Sequence, residues 1–438
     1  MCGLTIKEDK EDDLVYKVHQ LPLSLLYYVF SFGSLNDEFE KKYISSIINK
    51  LFNCNEKELH KLTTDAISES HIFLRKNFDD PSIVSLRELS RFTKCVEFFQ
   101  DYFIYKNNQN KNSIDDDTKK IYKIKSIICS IYLCYYIRLI NDEERKKFDN
   151  KLRKVLLELV NVYFEEKNDE NNENMKNSDL FDKIKYKPLK KYIKEKEIKY
   201  FSDFLKIEED FLLNQIDLDK GIGKNSILKE NIFLLFIAVV TKIPLIIVGK
   251  PDIGKRLSVE LIYNSMRGKN SKKNFFKNYP KINLIYFQGS ESTKPYDVEK
   301  LFRQAENLYE NYKKNNNFNK EELKPIFMIL FDKLGLAQKS STNPLKVLHC
   351  KLEYAGKSEG ESFVGISNNF LDPSKIKRAF NLYVPNLESN IDRIKETAKS
   401  IVESISEDLT KDNNMAIFSI LSRAYFLYKN YIIFIKKS

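Results

Sequence analysis

Tryptophan is absent from this sequence, and cysteine and histidine are scarce, with six and four residues in 438. None of the cysteines, at positions 2, 54, 95, 129, 134 and 350, forms a CxxC pair, and no histidine stands at zinc-ligand spacing from one. A tetrahedral structural zinc needs such spacings, so no RING or other zinc module is expected within this stretch. Cys129 and Cys134 lie inside an apolar run and read as small core residues, and a reducing, cytoplasmic setting is expected. A secretory leader is missing as well: Met1–Asp13 is polar and acidic where a signal peptide would be apolar. Long uninterrupted apolar runs are also lacking. Asn231–Val248 comes nearest to a membrane span, but Lys242 and Pro244 interrupt it, and a buried helix followed by a buried strand accounts for it better. The tail Ile417–Ile435 is interrupted by Arg423 and Lys429 and reads as an amphipathic helix. No membrane span is expected.

Basic residues outnumber acidic ones, 73 to 62, for a net charge of +11. The lysines are spread among acids along the whole chain, without an arginine-rich stripe or an aromatic RNA-binding signature, so no specific nucleic-acid partner is expected. Hydrophobic residues make up 42% of the chain, enough for a packed globular protein of two or three domains.

Up to residue 225 the pattern is mostly helical. Leu21-Pro22 opens a segment that runs to Phe32 before Gly33, Asn36-Asp37-Glu38 starts a helix to Leu51, and Ser85 is placed to cap another helix. Residues 104–120 read as a polar linker, 121–164 as helical, and 165–198 as a flexible insertion rich in Lys, Asn and Glu. From 226 onward the pattern changes. Short, continuous apolar runs at 244–248, 282–287, 326–331 and 363–367 read as buried strands, with helical stretches at 255–267, 296–313 and 344–354 between them. Strands that alternate with helices predict an α/β fold, a doubly wound parallel sheet.

Gly249-Lys-Pro-Asp-Ile-Gly254-Lys255-Arg256 follows the first strand and opens the next helix. Both glycines and the lysine of the phosphate-loop pattern GxxxxGK[ST] are in register. Gly249 and Gly254 let the backbone wrap a phosphate, helix amides face the anion, and Lys255 reaches it. The residue that should hold Mg²⁺ is Arg256 instead of Ser or Thr, and Ser258 comes two positions too late to replace it. Gly221-Ile-Gly223-Lys224 has a similar look, but no strand precedes it, and it reads as a loop before a helix. The third strand ends in Asp332-Lys333. Asp332 stands at the magnesium-orienting position of a Walker B motif, whereas Lys333 replaces the glutamate that activates water. A protonated lysine cannot accept a proton at neutral pH, so ATP hydrolysis is expected to be weak or absent. Asn368, after the fourth strand, stands where the sensor 1 residue of an AAA+ protein holds the attacking water or the γ-phosphate, and Arg378 is a candidate interface arginine.

Several stretches together resemble one AAA+ module of the mysterin family, giant RING-finger E3 ubiquitin ligases with a dynein-like array of such modules. They are Pro244–Pro251, Asp332–Ala337 with Asn343–His349, and Val364–Asn368 through Leu371-Asp-Pro373 and Arg378. Val18–Pro22 with Phe32–Leu35, and Val84–Glu88 with Arg91-Phe92, resemble the helical lid that ends the preceding module. The resemblance covers most of residues 15–385. It implies a P-loop AAA+ core at 226–385, a lid of the preceding module at 1–103 that holds Arg87 and Arg91, a helical linker with flexible polar insertions at 104–225, and a helical tail at 386–438. It also implies ATP and Mg²⁺ as cofactors, and as partners the other AAA+ modules of the same assembly together with ubiquitin-pathway proteins. The chain would then be an internal segment, a split gene or a decayed paralogue of such a ligase. Two alternatives follow. One is an active ATPase completed from elsewhere, with Glu353 and Asp372 as the nearby acids. The other is a scaffold that binds nothing, in which Arg256 fills the phosphate space.

Overall fold

The computed structural model describes residues 22–30, 36–53, 55–78, 84–107, 115–163, 187–196, 198–251, 253–315, 323–355, 360–372, 377–385 and 391–405, with Ile420, residues 422–424 and Leu427 of the tail. Up to residue 241 the described elements are helices: α1 (Leu23–Leu26), α2 (Asp37–Ile48), α3 (Lys57–Phe78), α4 (Arg87–Lys106), α5 (Asp116–Cys134), α6 (Asp142–Tyr163), α7 (Lys187–Glu195), α8 (Ser202–Asn214) and α9 (Ser226–Thr241). Side-chain caps set several of their starts. Asn36 accepts the amide of Phe39 at 2.8 Å, Asp115 that of Thr118 at 3.0 Å, and Asn225 that of Leu228 at 2.8 Å. The Glu88 carboxylate reaches back to Ser85, accepting from its amide and hydroxyl at 2.9 Å each, one half of a capping box.

Three helical boundaries differ from expectation. Among the described residues of the segment expected from Leu21 to Phe32, 22–30, the only helix is the single turn α1, with Tyr27 and Phe30 exposed. Helix α5 starts at Asp116, five residues before the expected 121, because Asp115 caps it inside the polar stretch. Helix α7 lies within the expected insertion and buries Leu189 and Ile193; its apolar positions recur every fourth residue among lysines, which hides them in composition. Residues 108–114 and 164–186, and most of the tail 417–435, lie outside the described residues.

The sheet follows: β1 (Leu245–Val248), α10 (Lys255–Ser265), α11 (Asn274–Lys277), β2 (Ile282–Gln288), α12 (Pro295–Asn315), β3 (Ile326–Asp332), α13 (Leu334–Gln338), α14 (Val347–Ala355), β4 (Glu361–Ser367), β5 (Phe380–Tyr383) and α15 (Ile391–Ile405). All pairings are parallel, in the order β2-β3-β4-β1-β5. The doubly wound parallel sheet is thus as expected, with β5 added. That strand has no apolar run: Phe380 and Leu382 are buried while Asn381 and Tyr383 are only partly so, the alternation of an edge strand.

Strand alternation sorts the core into two layers. Leu245, Ile247, Met328, Leu330, Val364 and Ile366 face the helical side, and Ile246, Val248, Ile329, Phe331 and Phe363 face α12 and α14. Between sheet and helical layer runs α9, buried continuously from Glu230 to Val239. A helix covered on all sides needs no polar face, which explains its near-membrane composition. It stops at Lys242, whose φ of 57° turns the chain into β1.

Aromatic rings join α4 to α9 and α11. Phe98 meets Phe236 at 5.9 Å, Tyr102 meets Phe275 at 5.7 Å, and Phe236 meets Tyr279 at 4.9 Å between ring centroids. Such pairs add to the area they bury, and the helical layer and the sheet face share one hydrophobic core. Ionic ties reinforce the seam. Glu208 on α8, fully buried, accepts from Lys106 at 2.6 Å and Lys125 at 3.4 Å. Arg145 of α6 pairs with Glu230 of α9 at 2.6 Å. Arg91 of α4 donates to the Lys377 carbonyl at 2.9 Å and lies over the Phe380 ring.

Glu361, at the start of β4, is buried. Burial and the nearby Glu306 carboxylate, partly offset by Lys351, push its pKa from 4.5 up to about 7. The folded state therefore binds this proton more tightly than the unfolded chain. The resulting stabilisation is complete below about pH 4.5 and is lost as pH rises through about 7. Glu361→Gln is expected to remove up to about 3 kcal/mol of the stability loss between roughly pH 5 and pH 8, read from denaturation midpoints. An unchanged pH slope would show that Glu361 titrates normally.

Candidate nucleotide site

At the C-terminal edge of the sheet, β1 runs through the loop 249–254 into α10. Both motif glycines are dictated by geometry. A Cβ at Gly249 would lie 2.4 Å from Ile253 Cδ1 and 3.0 Å from Val384 Cβ, and Gly254 adopts φ 75°, a left-handed backbone that favours glycine. The next residue, Lys255, is buried, and its ammonium donates to the carbonyl of Gly249 at 2.6 Å and to that of Lys250. The loop thus curls around a cation at the N-terminus of an eleven-residue helix, whose free amides attract anions. Ser258 is turned inward, its hydroxyl donating to the Gly254 carbonyl at 2.9 Å.

Strand order gathers the other candidates. Because β4 lies between β1 and β3, Asn368 at the end of β4 and Asp332 at the end of β3 stand at the same edge as the loop. The Gly249 amide donates to the Ser367 carbonyl at 3.1 Å, and Asn368 is exposed beside it. Asp332 has both oxygens engaged: Oδ1 accepts the Lys333 amide at 2.7 Å, and Oδ2 accepts the Tyr286 hydroxyl at 3.4 Å. Lys333 is exposed, with a left-handed backbone at φ 55°. Its amide, and not its ammonium, is what meets Asp332.

Tyr286 and Gln288 were missed from sequence. Register places Gln288 opposite Asp332, and the Tyr286 hydroxyl lies 3.3 Å from Gln288 Oε1. Burial and the Asp332 charge raise the Tyr286 pKa, with Arg256 opposing. Nothing local marks Tyr286; only the pairing of β2 with β3 brings it to the site. Arg256 does not fill the loop. It is largely exposed, donates to Glu260 at 3.1 Å, and sets its guanidinium 5.6 Å from the centre of the Tyr286 ring.

The structure does not bring Arg378 to this edge. Phe380 pairs with Leu245, the first residue of β1, so Arg378 lies at the N-terminal edge of the sheet. There it donates to Glu353 at 3.2 Å, and Arg87 stands 3.6 Å from the same carboxylate. Glu353 is therefore far from the loop. Asp372 remains on the loop side, its amide donating to Gln338 of α13 at 3.0 Å. Gly221–Lys224 forms the loop before α9, where a Cβ at Gly223 would lie 2.4 Å from Ser400 Oγ of α15.

The loop, Lys255 and the α10 N-terminus fit a phosphate. They do not fit the magnesium ion that usually accompanies it. That ion needs a hydroxyl at the position after the lysine, and the guanidinium side chain of Arg256 stands there instead.

Residues 221–390 match a family described as the RNF213 AAA domain. The α/β unit thus resembles an RNF213-type AAA domain. The likeness extends beyond this unit: the chain is 28% identical over 430 residues to the E3 ubiquitin-protein ligase RNF213 of Homo sapiens, which takes in 94% of the chain and 7% of that protein. It is 26% identical over 431 residues to the Mus musculus RNF213, with the same shares of chain and protein covered. It is 28% identical over 428 residues to the rnf213-beta ligase of Danio rerio, with 93% of the chain and 7% of that protein covered. The chain thus spans about 7% of the length of these relatives, and the helical layer before the AAA domain shares the likeness. Among the described residues no helix is long and apolar enough to cross a membrane.

Proposed function

We propose that this chain is a nucleotide-binding AAA segment that holds ATP with slow hydrolysis or none, and that it serves an E3 ubiquitin-ligase assembly of the kind its relatives are named for. Its partners would be further AAA modules of that assembly and ubiquitin-pathway proteins, in the cytoplasm. One observation supports the reading above others: an intact phosphate loop, with Lys255 buried inside it, shares a sheet edge with Lys333, a cation at the general-base position. ATP would then act as a ligand that stabilises the fold by mass action. The scaffold alternative has its own support, since the Lys255 ammonium is already met by loop carbonyls.

Equilibrium binding of ATP to the purified chain, beside a phosphate-release assay, decides between them. Saturable binding with turnover below about 0.1 s⁻¹, a hundredfold under a typical enzyme, is expected. Absence of binding would favour the scaffold, and turnover near about 10 s⁻¹ would mean that another group serves as base.

A further inference from the structure

We infer that this loop takes its nucleotide as the free, metal-less polyphosphate, with the Arg256 guanidinium in the place of the divalent cation. The inference rests on the nucleotide reading above and concerns the ionic form of the ligand. Arg256 follows Lys255 directly, so it starts from the first turn of α10, at the mouth of the loop. Its guanidinium already lies on the Asp332 side of the site, 5.6 Å from the centre of the Tyr286 ring, whose hydroxyl stands 3.4 Å from Asp332 Oδ2. Two obstacles meet a magnesium ion there. The hydroxyl that would hold it is missing where Arg256 stands, and a divalent cation beside Arg256 would suffer like-charge repulsion.

Lys255 and Arg256 are successive cations on the first turn of α10. A guanidinium also presents a planar fork of donors that matches two phosphate oxygens at once. Little holds Arg256 where it stands: its pair with Glu260 has both side chains more than half exposed, so water screens it heavily, and the side chain is free to swing toward a bound phosphate.

The test is ATP affinity of the purified chain in excess Mg²⁺ and in EDTA, for the wild type and for Arg256→Ser. The wild type is expected to bind within about threefold in the two buffers, and the exposed-site serine variant to bind at least about tenfold more weakly in EDTA, with part of the loss recovered by Mg²⁺. Wild-type binding that falls about tenfold or more in EDTA would overturn the inference and leave the nucleotide reading standing. An Arg256→Ser variant as tight as wild type in EDTA would also overturn it. Failure of the wild type to bind in either buffer would remove the nucleotide reading and this inference together.

Discussion

Lys255→Ala is expected to lower ATP affinity at least about hundredfold, because a buried ammonium that meets phosphate oxygens makes charge-assisted hydrogen bonds that a shortened side chain cannot replace. The fold should survive. The loop turns on Gly249 and Gly254, and the carbonyls that Lys255 meets lie near the loop mouth, where water can reach them once the side chain is shortened. Lys224→Ala provides the contrast. That residue follows the other glycine-containing loop, whose chain leads from α8 into the Asn225 cap of α9, and its loss should leave affinity unchanged. Titration of both variants separates the two loops. Equal affinity of Lys255→Ala and wild type would show that the nucleotide is not held at residues 249–255.

The second large effect lies away from the site. Glu208→Gln is expected to destabilise the fold by about 3–5 kcal/mol, the usual cost of a buried ion pair that loses one partner. Burial alone would raise the pKa of this carboxyl, yet Lys125 and Lys106 outweigh it and hold the group below the ordinary range. Neutralising it leaves two largely buried ammonium groups facing each other between α4, α5 and α8. Replacement of all three groups by apolar residues of similar size, Lys106→Met with Lys125→Met and Glu208→Leu, should recover most of the loss. Chemical denaturation of the two variants checks this. A single variant as stable as wild type would show that the lysines find other partners. The helices α8 and α4 that Glu208 ties together pack on α9, and α9 leads through Lys242 into β1 and the loop 249–254. Nucleotide affinity should therefore fall in the single variant as temperature approaches its unfolding range.

Several elements were legible without coordinates because their signals are local. The apolar runs of β1, β3 and β4 announce themselves since both faces of each strand are covered, β2 carries such a run although it is a half-covered edge strand, and the glycines at 249 and 254 mark a loop between strand and helix. Asp332 and Lys333 could be aligned because one ends a strand and the other follows it, and Ser85 because it stands just before a helical pattern. Elements whose signal is weak or distributed were missed. The alternating edge strand β5 resembles a loop, and the apolar stripe of α7 is diluted by lysine.

The sequence by itself determined the class of fold, the glycine-bounded loop between β1 and α10, and the positions of Arg256 and Lys333 after that loop and after β3. All of these depend on residue identity within a few positions of a strand end. Tertiary structure alone decided that Tyr286 and Gln288 reach Asp332, that Arg256 turns out over a ring instead of into the loop, and that Arg378 and Glu353 stand at the opposite edge. It also decided that the helical layer and the sheet share one core. Strand order and helix docking bring together residues tens to hundreds of positions apart, and no periodicity within one element records which neighbour it will have.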